Sequence, residues 1–379
     1  MIELLNKSDC CGCSACYSIC QHHAIVLRND NEGFLYPQFD KEKCVNCGLC
    51  EKVCPIINYK TKSKIGNPSA YAAINTNHDQ YMQSSSGGIF ILLCKYILST
   101  GGIVCGAIYD GKFIVRHSFA TTLEECTNFQ GSKYVQSDIR GIYPEIKSIL
   151  KTGKNLLFSG TPCQVEGLKL YLQKHYDNLF TVDLICHGVP SPLVFHDYLN
   201  FIRNGQRIVN INMKSKTTEK GTAIKIEFSK GKSIRQTLKT DLWNKLYFGN
   251  LIVRPSCHYC QFTNYNRTGD MTIGDSWGIN KYYPDFHPKE MTSLIFLNTI
   301  KGHALFNGVQ SQLDFIQIKL KESLQPQLQY PTRMSPIRDI FWKDYQRYGF
   351  YYIAKKYLDY SFIAILKEKI KNCLHGKFS

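Results

Sequence analysis

The sequence has no apolar run long enough to cross a bilayer. Its longest, near Gly88–Leu93 and Phe362–Leu366, fall well short of the ~20 residues a spanning helix needs. The opening stretch, Met1 to Cys10, has no basic segment followed by a long apolar core. A secretory signal is therefore not expected, and a cytoplasmic, reducing location is. Acidic residues are in short supply: 30 Asp and Glu stand against 46 Lys and Arg, for a net charge of +16. Such a chain attracts acidic partners, whether nucleic acid, anionic membrane or protein. A lysine-rich solvated face with no special partner accounts for the charge equally well. No nucleic-acid motif is present, which leaves nucleic acid the weakest of these options.

Cysteine, by contrast, is abundant. There are 17, and nine of them lie between Cys10 and Cys54. Clustering of this kind points to metal or cluster ligation rather than a disulfide framework. The chain length of 379 residues, 44% of them hydrophobic, allows two or three domains and a sizeable core.

The clustered cysteines form two similar runs. Cys10-x2-Cys13-x2-Cys16-x3-Cys20 is followed by Cys44-x2-Cys47-x2-Cys50-x3-Cys54-Pro55, the spacing of a bacterial two-cluster ferredoxin. Three thiolates two residues apart let one loop wrap one face of a cubane, while the fourth is carried to the other cluster. One 4Fe–4S cluster is thus expected on Cys10, Cys13, Cys16 and Cys54, and the other on Cys44, Cys47, Cys50 and Cys20. Zinc knuckles, the competing reading, separate their cysteine pairs more widely. Gln21 stands where a proline is usual after Cys20, a change of turn geometry and not of ligand. Cys11 is expected to be a spare buried thiol. Because each run holds both clusters, the clusters must lie close together, as stepwise electron transfer requires.

After a polar stretch at 61–69 the composition becomes that of an ordinary α/β chain. Helices are expected over Gly87–Ser99, Ile139–Leu150 and Ser191–Asn204. Ile103–Tyr109 and Lys112–Phe119 flank Asp110-Gly111 as a hairpin. Asn155–Ser159, Gln164–His175 and Leu179–Ile185 read as a βαβ unit with parallel neighbouring strands. Ile208–Lys214 and Ala223–Leu238 read as strands, the latter a hairpin about Lys230-Gly231. Beyond Pro336 an aromatic, basic, helical tail carries Trp342, Tyr345, Tyr348, Tyr351 and Tyr352, for packing or for docking a partner.

Four later cysteines hold suggestive positions. Cys163 follows the first strand of the βαβ unit and Cys186 follows the second. Residues just past the carboxyl ends of adjacent parallel strands face one crevice. Cys257-x2-Cys260 adds a chelating pair. A third 4Fe–4S site, a four-cysteine zinc site and unrelated buried thiols all remain open on spacing alone. Cys94, Cys105, Cys126 and Cys373 are read as structural.

Ser84-Ser-Ser-Gly-Gly88 opens a helix and offers unpaired N–H groups to a phosphate, or simply an N-cap at Ser86. Gly131-Ser-Lys-Tyr134 adds a cation and a ring. Asp270–Gly278 carries two aspartates, for ligand hydroxyls or for turns, and Trp277, read as core.

Taken in this order, these motifs resemble the family of coenzyme F420 hydrogenase/dehydrogenase beta subunits, in its bacterial branch with a fused two-cluster ferredoxin. The resemblance runs to about residue 300. It implies an FAD-containing oxidoreductase with an additional 4Fe–4S cluster on Cys163, Cys186, Cys257 and Cys260. It also implies flavin contacts from Ser85, Ser86, Gly87, Gly88, Lys133, Tyr134 and Thr161.

The implied fold is α+β: a bacterial-type two-cluster ferredoxin at 1–60 joined to a larger α/β flavin and iron–sulfur domain. That domain would comprise a flavin-binding region at 70–150 and a βαβ-containing region with the additional cluster at 151–310, followed by the helical tail at 311–379. Electrons would pass between clusters, FAD and a two-electron small-molecule acceptor. An acidic electron-carrier protein or a redox partner subunit would dock on the basic surface. His187, beside Cys186, and Lys133 are candidates for proton delivery and flavin stabilisation. The competing reading is a non-catalytic electron-relay subunit of a larger complex.

Overall fold

The computed structural model describes residues 6–59, 68–216, 222–237 and 241–358. Cys373, most of the polar stretch at 61–69, and Leu238 lie outside them. In the N-terminal region β1 (Ile25–Asn29) and β2 (Leu35–Phe39) form an antiparallel hairpin. Two short helices, Ala15–Ile19 and Leu49–Lys52, each follow a cysteine run's first members. They pack on one another as the internal duplication requires.

The remaining strands in chain order are β3 (Ser69–Asn75), β4 (Ile103–Tyr109), β5 (Val115–Ala120), β6 (Leu156–Gly160), β7 (Leu179–Leu184), β8 (Ile208–Lys216), β9 (Thr222–Phe228), β10 (Ser233–Thr237), β11 (Met271–Asp275), β12 (Ser293–Leu297) and β13 (Leu313–Ile318). Eight of them make one mixed sheet in the order β13-β3-β12-β11-β7-β6-β4-β5. Its centre, β11-β7-β6-β4, is parallel, and antiparallel pairs close both edges. Strands β8, β9 and β10 form a separate antiparallel sheet.

The βαβ unit is present, with β6 and β7 parallel neighbours. Its helix runs Pro162–Leu172, starting two residues earlier than the apolar pattern suggests. Proline at the first helical position lacks an N–H that would be unpaired there anyway. Several other boundaries shift from expectation. The helix expected from Gly87 starts at Ile89, and the one expected from Ile139 starts at Ile142. Asp110 does not make a two-residue hairpin turn. Its carboxylate accepts from the Lys112 and Ile114 amides, and Phe113 takes φ +60°, which makes a longer loop. Strand β8 continues two residues past the expected Lys214, to Lys216.

The sheet draws strands from both sides of the division expected at 150, and β13 comes from the stretch read as a tail. The final helix, Arg338–Tyr357, kinks at Gly349 (φ +73°). It packs Phe341, Trp342, Tyr345, Phe350 and Ile353 into the core of the β8–β10 sheet, beside Trp243 and Tyr198. Part of the ferredoxin region is embedded too. Cys13, Ala15, Ile19 and Val53 join Tyr143, Val165 and Leu168 in one apolar cluster. Gly167 sits mid-helix because a Cβ there would stand 3.0 Å from Cys13 Cβ and Sγ. No described helix is long and apolar enough to cross a membrane.

Candidate functional site

Two adjacent cavities collect the cysteines. The smaller is lined by Cys10, Cys13, Cys16 and Cys54, with Leu27, Leu35 and Pro37 from the hairpin. These four thiols are the set expected to share one cluster. The αL backbone at Gly12, Ser14 and Gly48 turns both runs tightly enough to aim alternate thiols inward. The other set is more open: Cys20, Cys44 and Cys50 are partly buried and Cys47 is exposed.

The larger cavity is lined by Cys163, Cys186, Cys257 and Cys260 together. The fold explains the meeting. Cys163 opens the helix after β6, Cys186 lies two residues beyond β7, and the 3₁₀ turn Pro255–Tyr259 brings the last pair across. Gly188, at φ +138°, lets the Cys186 loop pass close to Cys257. Burial and the neighbouring thiols push Cys257 up to about 12 and Cys260 up to about 11. Such thiols ionise only when a positive centre compensates.

Cys11 is not a bystander. It lines both cavities, as does Ile56, and its thiol neighbours those of Cys13 and Cys163. Cys94 and Cys126, read as isolated structural thiols, neighbour each other in one core cluster. Cys105 is buried as expected.

Thr161 caps the helix of Cys163: its amide donates to Gln164 Oε1 (3.0 Å), and its hydroxyl meets Cys163 Sγ at 3.2 Å. His187 lies on the same cavity, with both ring nitrogens engaged. Gln327 Nε2 meets Nδ1 at 3.0 Å and Asn250 Oδ1 meets Nε2 at 2.9 Å. An amide nitrogen can only donate and an amide oxygen only accept, so this arrangement holds a neutral ring protonated at Nε2. Burial lowers its basicity further.

From His187 a chain of rings leads outward. His187 touches Tyr247 and Phe248 at 5.1 and 5.7 Å, and Tyr134 touches the same two at 5.2 and 6.2 Å. The loop of Tyr134 meets the serine–glycine loop, where Ser132 N donates to Ser85 Oγ at 2.6 Å. Ser86 is not the N-cap; Gly88 is, at φ +80°, and Ser86 Oγ donates to Thr292 O at 3.0 Å. Gly87 is fixed by close packing, since a Cβ there would lie 2.3 Å from Ala73 O. Lys133 Nζ donates to the carbonyls of Asn128, Gln130 and Gly131 and, partly buried, is pushed down to about 7.

Sequence reasoning missed two lysines here. Lys216 Nζ donates to the carbonyls of Tyr81, Ser84 and Ser86, and burial pushes it down to about 7. Lys214 pairs with Asp275. Alternation along β8 puts both on one face, but only knowledge of what that face covers could have marked them.

The family model for the C-terminal region of coenzyme F420 hydrogenase/dehydrogenase beta subunits matches residues 153–321, and the 4Fe–4S dicluster domain matches 9–56. The F subunit of the F(420)H(2) dehydrogenase of Methanosarcina mazei is 18% identical over 332 residues, 83% of this chain and 86% of that one. An uncharacterized ferredoxin of Methanocaldococcus jannaschii is 33% identical over 52 residues, 14% of this chain and 66% of that one. A structure of the F420-reducing NiFe hydrogenase complex from Methanosarcina barkeri superposes with a TM-score of 0.48 at 18% identity, covering 78% of this chain and 90% of that chain. Residues 153–321 thus carry the C-terminal domain of coenzyme F420 hydrogenase/dehydrogenase beta subunits, and residues 9–56 a 4Fe–4S dicluster domain.

Proposed function

We propose that the chain is an iron–sulfur flavoprotein oxidoreductase in which electrons pass between the N-terminal clusters, a third 4Fe–4S cluster on Cys163, Cys186, Cys257 and Cys260, FAD, and a two-electron acceptor. The observation that carries this reading is the shared wall. Four thiols from distant segments line one cavity, and Cys11 and Ile56 separate it from the cavity of Cys10, Cys13, Cys16 and Cys54. The residues fit a cluster: four thiols line a cavity whose wall also holds the buried Arg267, and the Thr161 hydroxyl lies 3.2 Å from Cys163 Sγ.

For FAD, the fit lies in charge. Lys133, Lys214 and Lys216 surround the serine–glycine and Gly131–Tyr134 loops, while Asp275 is the carboxylate paired there. Thr292 Oγ1, beside Ser86, is buried without a hydrogen-bond partner. A diphosphate would supply the missing negative charge and acceptor oxygens. When bound, flavin couples one-electron cluster chemistry to a two-electron acceptor.

The chain's own residues bind, orient and insulate. The lysines, whose ammonium groups pin the carbonyls of these loops, would balance the charge of the phosphates, and Tyr134, Tyr247 and Phe248 would fill the space toward the third-cluster cavity and keep water out. His187, with both nitrogens committed, fixes the Cys186 loop to Asn250 and Gln327 rather than moving a proton. A soluble carrier or partner subunit would meet the exposed Cys47 side, where Val45 and Ile57 are also exposed.

Anaerobic reconstitution followed by iron, sulfide and flavin quantitation tests the reading. About twelve irons with one FAD per chain is expected for three four-iron clusters and a flavin. A flavin-free chain with intact clusters would instead assign the electron-relay role, which the subunit status of the Methanosarcina mazei relative favours.

A further inference from the structure

Arg254 is 0% exposed and, among the described residues, forms no ion pair with a carboxylate. Its guanidinium donates from Nε to Cys10 O (2.8 Å), from Nη1 to Gln136 Oε1 (2.9 Å) and from Nη2 to Leu35 O (3.0 Å). It lies over the Tyr36 and Phe34 rings, at 4.2 and 5.3 Å. Three of its five N–H groups are hydrogen-bonded, all to neutral acceptors, so the charge is not cancelled. A buried unpaired cation costs several kcal/mol, and neutral carbonyls offset only part of that.

The groups able to oppose the charge are one phenol, Tyr36 under the guanidinium, and three thiols: Cys10 and Cys11 from the first run, and Cys257 from the later set. Arg254 therefore stands between the two cavities. The packing holds it there tightly. A Cβ on Gly12, which takes φ +73°, would stand 2.4 Å from Gln136 Nε2 and 2.8 Å from Arg254 Nη1. Gln136 Nε2 also donates to Cys11 O at 3.3 Å.

We propose that Arg254 is the shared counter-charge of the two cluster sites and sets the potential at which an electron crosses between them. The step moves one electron: the donor cluster loses one negative charge, the acceptor gains it, and no bond or proton changes place. A fixed cation in a dry wall favours the more negative state on either side. It therefore raises both potentials. For the cluster on the Cys257 side this rests on the third-cluster reading.

Two variants test it in the holoprotein, prepared anaerobically and titrated by EPR. Gln136→Glu keeps the contact to Nη1 and places a carboxylate on it. It should lower the midpoint potential of the neighbouring clusters at unchanged iron content. Arg254→Lys keeps the charge while shedding hydrogen bonds, and should hold potentials near those of the parent. Unchanged potentials in Gln136→Glu, or a drop in Arg254→Lys as large as in Gln136→Glu, would overturn the assignment. Iron content separates this from failure of the third-cluster reading. A chain with about eight irons has no third cluster, and the titration of the Cys10-side cluster then still decides the role of Arg254.

Discussion

Glu32 and Arg338, 306 positions apart in the chain, meet in a buried two-pronged ion pair, Nη1 to Oε1 at 3.0 Å and Nη2 to Oε2 at 2.5 Å. The pair joins the ferredoxin hairpin turn to the final helix, and Arg338 reaches on to Val253 O, next to Arg254. Ser191 Oγ donates to Glu32 O from the other side. The N-terminal clusters are thus clamped to the larger domain rather than tethered to it. A fixed inter-cluster distance needs this.

Removing one partner should be costly. Glu32→Ala leaves a buried guanidinium uncompensated, and about 3–5 kcal/mol of stability should be lost. Anaerobic denaturant midpoints would show it. Replacing both, with Glu32→Gln and Arg338→Met, should recover much of the loss, because no unpaired charge then remains.

Cys257→Ser separates the cluster reading from the alternatives. Iron should fall from about twelve to about eight per chain, with the N-terminal EPR signals retained. Loss of zinc with iron unchanged would instead identify a zinc site, and no loss of metal would leave the four thiols structural.

Much of this site is legible in the sequence because ligand spacing and strand order are local. The βαβ unit alone leads to the expectation that Cys163 and Cys186 face one crevice, and both line the larger cavity. Arg254, Gln136 and Lys216 were not legible. A lone arginine before a Pro-Ser-Cys turn, or a lysine at the end of a strand, reads as a solvated charge. Their roles arise from contacts 118 to 244 positions away, which only the packing determines. The same holds for β13, which the composition of the tail conceals. It pairs antiparallel with β3 from more than 230 positions away, at the edge of the sheet.

Lys216→Met should weaken FAD retention. A charge-assisted hydrogen bond to a phosphate is worth about 1.5–3 kcal/mol, so flavin affinity should fall roughly ten- to a hundredfold. Flavin released on gel filtration, with iron content unchanged, measures it. Undiminished FAD would place the diphosphate elsewhere.

His117 predicts an acid limit to stability. It is buried, stacks on Phe158 at 5.4 Å, and its Nε2 lies 3.0 Å from Ser159 O, while Nδ1 has no partner. Burial pushes it down to about 4, against weaker opposing effects from the Ser159 carbonyl and from Asp138, itself paired with Arg140. The unfolded chain therefore binds this proton first as pH falls. Stability from the neutral ring is complete above about pH 6.5 and drains away down to about 4, a loss of roughly 3 kcal/mol for a shift of this size. His117→Gln can still donate to Ser159 O but does not titrate in this range. Anaerobic denaturation midpoints between pH 7.5 and 5 should fall less steeply for the variant than for the parent. Parallel slopes would mean that the ring does not stay neutral in the folded chain.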